Sequence, residues 1–483
     1  MFKKLFQQTF IYGIATVLPR MLNFLLTLLY TRQDIMGADQ YGEFSLVFAY
    51  FMLFNVILSY GMETAFFRFF HKKEDKDEVI NTSAWSLAGS STLFLGLGFL
   101  FQYQIAAITG ISLQVLRLVL WILFFDALVV IPFAWLRARE RPIRYAVIKV
   151  LNVVINIGLN IFFLAYLKEG AQEYALLQKI YVPDFQVGYI FIANLIASLS
   201  SLVLMAPFYL KVQFRFNKDL WKRMLRYAFP VLIAGLAFAV NEAFDRIMMD
   251  YLLPQDTAKE QIGFYSACYK LAVFMTLFST AFRLGVEPFF FSHAEKKDAK
   301  AIYAQITKYF SIFGALILIS IIVFADVLKV IFIRSEIYWQ AMDIVPLILL
   351  ANLFLGIYYN LSVWYKVTDR TKFGAYISVI AAVVTIVVNL ILIPSLGYYG
   401  AAISTLAAYG SMMLLSFWWG QKYYPIPYDL KRIVGYIALS VGFSVISFYG
   451  FRGNYVVGIG LLIIFLAIIY VGEKDQLLKI IRE

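Results

Sequence analysis

The chain has 483 residues, 62% of them apolar and 15% charged, with a mean hydropathy of +0.76. Soluble proteins are about half apolar and a quarter charged, so the excess has no place in a soluble core and the chain reads as an integral membrane protein. A net charge of +12 would point to nucleic acid in a soluble protein; here it is tested instead against the Lys and Arg excess of cytoplasmic loops, and no nucleic-acid partner is expected.

In chain order, the runs long and apolar enough to cross a bilayer are 10–30, 44–67, 85–103, 113–135, 150–167, 187–209, 227–249, 265–289, 309–325, 344–365, 373–393, 398–419, 433–449 and 455–471. At about 20 residues each they leave only connecting loops and short tails, with no segment for a soluble domain. The opening Met1-Phe2-Lys3-Lys4 resembles the start of a signal peptide, but the apolar run continues past Tyr30 without a small-residue cleavage site, so it reads as a retained helix. With the N-terminus inside and sides alternating, cytoplasmic segments hold 30 Lys and Arg, outer segments 7 and the spans 5. That contrast places both ends in the cytoplasm.

Cys268 is the single cysteine and His71 and His293 the only histidines. This argues against a disulfide and a Cys- or His-based metal site. There is no H-E-x-x-H, Walker A loop or G-x-G-x-x-G after a strand, so zinc chemistry and ATP hydrolysis are not expected. The sequon Asn81-Thr82-Ser83 falls in a cytoplasmic segment and carries no weight.

An internal repeat appears next. Tyr41-Gly42-Glu43-Phe44-Ser45 is echoed by Ile262-Gly263-Phe264-Tyr265-Ser266, and Gly61-Met62-Glu63 by Gly285-Val286-Glu287. Trp135, Arg141 and Asn160 recur as Trp364, Arg370 and Asn389. The unit is six spans, an even number, so both halves enter from the same side as a parallel pseudo-two-fold repeat. The expected organisation is an N-lobe (1–212), a C-lobe (213–424) and two accessory spans (425–483). Transporters built from such repeats place the substrate path between the halves.

These features resemble the multidrug, oligosaccharidyl-lipid and polysaccharide exporter (MOP) superfamily, and within it the polysaccharide-biosynthesis flippases of O-antigen type. The residues that carry the resemblance are Gly37–Phe48, Tyr60-Gly61-Met62-Glu63-Thr64-Ala65-Phe66-Phe67-Arg68-Phe69, Ile262–Ala267, and Asn389-Leu390-Ile391-Leu392-Ile393-Pro394 followed by Gly400-Ala401-Ala402. The resemblance implies an all-α membrane protein, not an enzyme, that moves undecaprenyl-diphosphate-linked oligosaccharide across the inner membrane by alternating access, for O-antigen, capsule or other surface polysaccharide. It implies no cofactor beyond a coupling proton or sodium ion. The implied partners are the lipid-linked glycan, membrane lipid, and a polysaccharide polymerase or glycosyltransferases.

Ionisable groups within spans are costly and default to functional candidates. They are Arg20, Glu63, Arg117, Asp126, Glu242, Asp245, Arg246, Lys270, Arg283 and Glu287. Arg20 follows Pro19, lies roughly 15 Å into the first span, and has Asn23 near the same face. A diphosphate needs cations, so Arg20 and Lys270 are the expected headgroup contacts, with Asn23 and Asp126. Glu242 with Arg246, and Arg283 with Glu287, have i,i+4 spacing and are expected to pair. With Glu63 they read as gating or ion-coupling groups. Arg68 is expected to snorkel to the interface. Span-end aromatics read as an interfacial belt, with sugar stacking by Trp364 or Tyr358 as the lesser alternative.

Three alternatives stay open. A multidrug antiporter of the superfamily would show an acid deep in the first span, which offers only Arg20 and Asn23. A lipid II flippase would show a deep cation in the second, which has only Glu63 near its inner end. A scaffold or multi-span glycosyltransferase is disfavoured, since the longest outer loop, 168–186, holds only Glu169, Glu173 and Asp184.

Overall fold

Backbone in hydrocarbon must satisfy its own hydrogen bonds, which for a chain of long apolar runs leaves the helix. The computed structural model describes residues 18–19, 21–72, 75–294 and 296–482, with 288, 292 and 475–482 by backbone alone; all regular structure among them is helical. A short apolar helix, α1 (Met21–Tyr30), precedes thirteen helices long and apolar enough to span a membrane. These are α2 (Ala38–His71), α3 (Lys76–Leu100), α4 (Leu113–Ala138), α5 (Pro142–Glu173), α6 (Gln186–Tyr209), α7 (Lys218–Leu252) and α8 (Ala258–Phe291). They continue with α9 (Ala299–Val323), α10 (Glu336–Val367), α11 (Lys372–Leu396), α12 (Tyr398–Tyr423), α13 (Leu430–Gly450) and α14 (Tyr455–Lys474). Spans two to fourteen of the sequence each have a helix. Most of the first, with Arg20, lies outside the described residues.

The contacts divide the chain into two compact units, Met1–Gly263 and Phe264–Glu483. In the first unit α7 packs on α2, through Ala243 and Ile247 against Leu46 and Ala49. One end of it is closed by Met62, Phe66, Phe69 and Phe70 of α2 with Ile80, Ile131, Phe208, Leu220 and Met224. Two close approaches fix this packing. At Gly61, where α2 turns through positive φ at Tyr60 and Gly61, a Cβ would stand 2.6 Å from the Ala228 carbonyl oxygen of α7. At Gly42 a Cβ would stand 1.7 Å from the Lys259 carbonyl oxygen, and at Gly263 one would stand 2.0 Å from that of Ala38. The glycines of the repeated motif therefore meet each other's helix, as small residues do where membrane helices touch.

The loop between α6 and α7 is tied to α3. Asn81 accepts from the Gln213 backbone N–H, Thr82 from that of Asn217, and Glu78 from the Asn217 amide, while Trp85 donates to the Gln213 carbonyl. Asn81 and Thr82 are buried in this strap, so both serve to anchor the loop.

In the second unit Trp364, Tyr409, Tyr303 and Ile377 form the main core. The accessory helices α13 and α14 pack on α9 through Tyr436 and Phe465 against Ile312, Ala315 and Ile319.

Candidate functional site

Asp126 is half-buried on α4, and the polar groups that face it are Ser198 of α6 and Lys149 of α5. The Lys149 ammonium also stands 4.3 Å from the centroid of the Phe133 ring. The apolar runs 113–135 and 150–167 leave Lys149 in the charged stretch between them, with Arg137, Arg139, Arg141 and Arg144. The structure starts α5 at Pro142, which the fixed φ of proline suits, so Lys149 lies two turns inside the helix.

Lys149 opens a polar track. Asn152, Asn156 and Asn160 follow it at three- and four-residue steps, which places all four on one face of α5, over about 16 Å of helix. Asn152 donates to the Ala197 carbonyl at 2.8 Å and to Ser201 Oγ at 3.0 Å, joining α5 to α6. Asn160 donates to Asn156 Oδ1 at 3.0 Å and accepts from the Tyr30 hydroxyl of α1 at 2.8 Å. This track was not legible from charge, since the span 150–167 holds no charged residue; the 3–4 spacing of one Lys and three Asn was the available signal.

The other predicted residues of this unit separate. Glu63 pairs with Arg137, so α2 and the C-terminal end of α4 are ionically joined, and Arg137 also covers the Phe67 ring at 4.7 Å. Arg246 bonds Asp245 Oδ1 at 2.9 Å and the backbone carbonyl of Glu242 at 3.1 Å, so the buried, adjacent Asp245 is one of its partners. Asn23 lies on the exposed side of α1 with Met21 and Leu25.

In the second unit Arg283, Glu287, Tyr359, Asn360, Ser362 and Lys366 line one narrow cleft. Here the i,i+4 expectation yields to a partner on another helix. Lys366 of α10 takes Glu287 at 2.6 Å, and Arg283 lies 4.6 Å from the centroid of the Tyr359 ring. The cleft holds two cations and one carboxylate, so it carries net positive charge. Lys270 begins a 3₁₀ turn, Lys270–Ala272, that interrupts α8, and its side chain is exposed. The sugar-stacking alternative fails on burial. The Trp364 ring is enclosed, with its N–H on the Ser416 carbonyl at 3.0 Å, and Tyr358 is buried against Tyr365. Among the described residues no group of three or more His, Cys, Asp and Glu could hold a metal ion.

Residues 5–282 match the family described as polysaccharide biosynthesis protein. The chain belongs to that family. A second family model, MatE, matches residues 223–391 of this family member. No curated protein sequence matches it. Among solved structures, lipid II flippase MurJ in an inward closed conformation is similar at 17% identity and TM-score 0.76, over 97% of this chain and 100% of that one. An inward-facing multidrug resistance MATE transporter of the MOP superfamily is similar at 14% identity and TM-score 0.67, over 86% and 95%. A MOP superfamily transporter from Pyrococcus furiosus is similar at 15% identity and TM-score 0.57, over 90% and 96%. At such identities the likeness is one of fold. The family member thus has the all-α fold that MOP flippases and transporters share, and these relatives are not enzymes.

Proposed function

We propose that the chain is a flippase that carries an undecaprenyl-diphosphate-linked oligosaccharide from the inner to the outer leaflet of the cytoplasmic membrane by alternating access, driven by a proton or sodium gradient, with both termini in the cytoplasm. The observation that carries the reading is the family match over residues 5–282. The polar face of α5 fits it, since polar side chains at membrane depth face a bundle interior or a wet path. The Arg283–Glu287–Lys366 cleft is the gating group of the second unit. Arg20, Lys270 and Asn23 remain headgroup contacts in this proposal, with Asp126 set by Lys149.

The test is complementation. Expression in a strain lacking its own O-antigen flippase restores surface polysaccharide; drug efflux without restored polysaccharide would overturn the reading in favour of an antiporter. A lipid II flippase is the second reading, favoured by the similarity to MurJ over its full length. Rescue of a MurJ-depleted strain, without restored polysaccharide, would decide for it.

A further inference from the structure

A groove of about 550 Å³ runs between three helices of the first unit, lined by Ala84, Ala88 and Thr92 of α3, Leu128 of α4, and Val203 and Ala206 of α6. Its few polar atoms are spent within the protein. Thr92 donates to the Ala88 carbonyl at 2.7 Å, the Tyr209 hydroxyl donates to the Leu128 carbonyl, and the Trp85 indole donates to the Gln213 carbonyl at 3.0 Å. The wall is therefore apolar, and along helices that span a membrane its fitting occupant is hydrocarbon. A second, shallower groove shares Trp85, Ala88 and Thr92 and continues along α3 past Gly89 and Gly96. A Cβ at either glycine would meet nothing within 4 Å, so this flank is open as well. From Ala84 to Thr92 the first groove covers about 12 Å of helix, within the roughly 15 Å of one leaflet's hydrocarbon. Two adjoining grooves match the paired chains of a diacyl lipid, where a single prenyl chain would fill one.

Two turns before Trp85, α3 presents Asp77 and Glu78 to a polar pocket that Asp75, Arg215 and Lys218 also line. The strap between α6 and α7 borders both regions, with Val212 on the groove and Arg215 on the pocket. Leu210 and Phe214 of this strap are 86% and 85% exposed, which suits a segment lying at a lipid interface. The pocket holds charges of both signs. Asp75 accepts from the Asp77 and Glu78 backbone N–H groups and Glu78 from Asn217, so all three carboxylates keep their charge beside the two cations. Asp77, Arg215 and Lys218 form no ion pair among the described residues. Around the pocket stand Lys76, turned to the Phe70 ring, and the exposed Lys211, Asp219 and Lys222. A polyanionic headgroup meets three carboxylates here. A headgroup with one phosphate and one ammonium meets an opposite charge for each.

We propose that the two grooves and the polar pocket form a site for one diacyl phospholipid whose headgroup carries a phosphate and a free ammonium, as in phosphatidylethanolamine. Arg215 and Lys218 hold the phosphate, Asp77 holds the ammonium, and the chains lie on either side of Ala88 and Thr92. The proposal needs only the membrane setting and stands apart from the flippase reading. The test titrates the delipidated full chain in detergent with dioleoylphosphatidylethanolamine or dioleoylphosphatidylglycerol and counts bound lipid by native mass spectrometry. The wild type retains one phosphatidylethanolamine and binds it about tenfold more tightly than phosphatidylglycerol. Ala88→Phe, which fills the shared wall, weakens both lipids about tenfold with unchanged helical circular dichroism. Asp77→Asn/Arg215→Gln still binds lipid but loses the preference. Equal binding by Ala88→Phe and the wild type would remove lipid from the grooves. A wild-type preference for phosphatidylglycerol, or none, would refute the headgroup assignment. A lipid-free dimer would give the grooves to a second copy of the chain and overturn the proposal.

Discussion

Asp126 and Lys149 are each costly alone at membrane depth and tolerable as neighbours, since an opposite charge offsets part of the desolvation of each. Asp126→Asn or Lys149→Met therefore leaves one uncompensated charge and destabilises the purified protein by about 3 kcal/mol, read as a lower Tm. The double variant Asp126→Asn/Lys149→Met returns Tm close to the wild type yet leaves polysaccharide export low. Full export by the double variant would reduce the pair to a structural one. The same logic explains why Glu287 takes Lys366 of another helix: a charge in a span takes whichever partner the packing delivers, and helical spacing is only one source of partners.

Between elements, two ionic clusters hold the second unit. Lys308 of α9 and Glu473 of α14 are buried and 2.6 Å apart, and Arg432 and Tyr436 of α13 bond the other Glu473 oxygen at 3.0 and 3.2 Å. The accessory helices are thus registered on α9 through one carboxylate. Glu473→Gln leaves the Lys308 ammonium buried without its counter-ion, at a cost of about 3–5 kcal/mol. The expected readout is a marked fall in Tm, with Lys308→Met/Glu473→Met recovering most of it.

The second cluster lies outside the spans. Asp326 accepts from Lys329 at 2.5 Å, and Arg452 bridges Asp326 at 3.3 Å and Asp343 at 3.1 Å. Burial alone would raise the Asp326 pKa, but the hydrogen bonds from Lys329 and Arg452 outweigh it and hold the carboxyl below its ordinary value. A carboxyl so depressed contributes stability above its unfolded pKa, about 3.9, and loses it as pH falls through the folded one. A Tm-against-pH profile should therefore stay level down to the ordinary carboxylate range and fall only below it. Arg452→Gln shifts the onset upward; an unchanged onset would remove Asp326 from the account.

For the whole molecule, the charge divides as +17 in the expected cytoplasmic segments, −5 in the outer ones and zero within the spans. This predicts the orientation. A cysteine at Asn454 is labelled by a membrane-impermeant maleimide in intact cells, and one at Lys211 only after permeabilisation. The native Cys268 is buried and bonded to the Tyr338 carbonyl, so it does not compete. Reversed labelling would invert every statement about sides made above.

The sequence by itself determined the class and the positions of spans two to fourteen, because length, hydropathy and charge asymmetry act locally along the chain and a bilayer leaves the backbone no alternative to the helix; the superfamily came from the resemblance that particular motifs carry. It also marked Gly42 and Gly263, though not that each meets the other's helix. Partner choice was decided by tertiary structure alone. Lys149 falls between the expected spans because a helix start within a run of arginines has no hydropathy signal, and only packing of α5 against α4 brings it to Asp126. Glu63–Arg137, Asp245–Arg246, Glu287–Lys366 and Lys308–Glu473 follow the same rule. A charge in a low-dielectric interior is stabilised by whatever is nearest in space, and for all of these but the adjacent Asp245 and Arg246 nearness comes from helices far apart in the chain. Trp364 made the converse point: its type suggested a sugar platform, and its enclosure by neighbouring helices made it core.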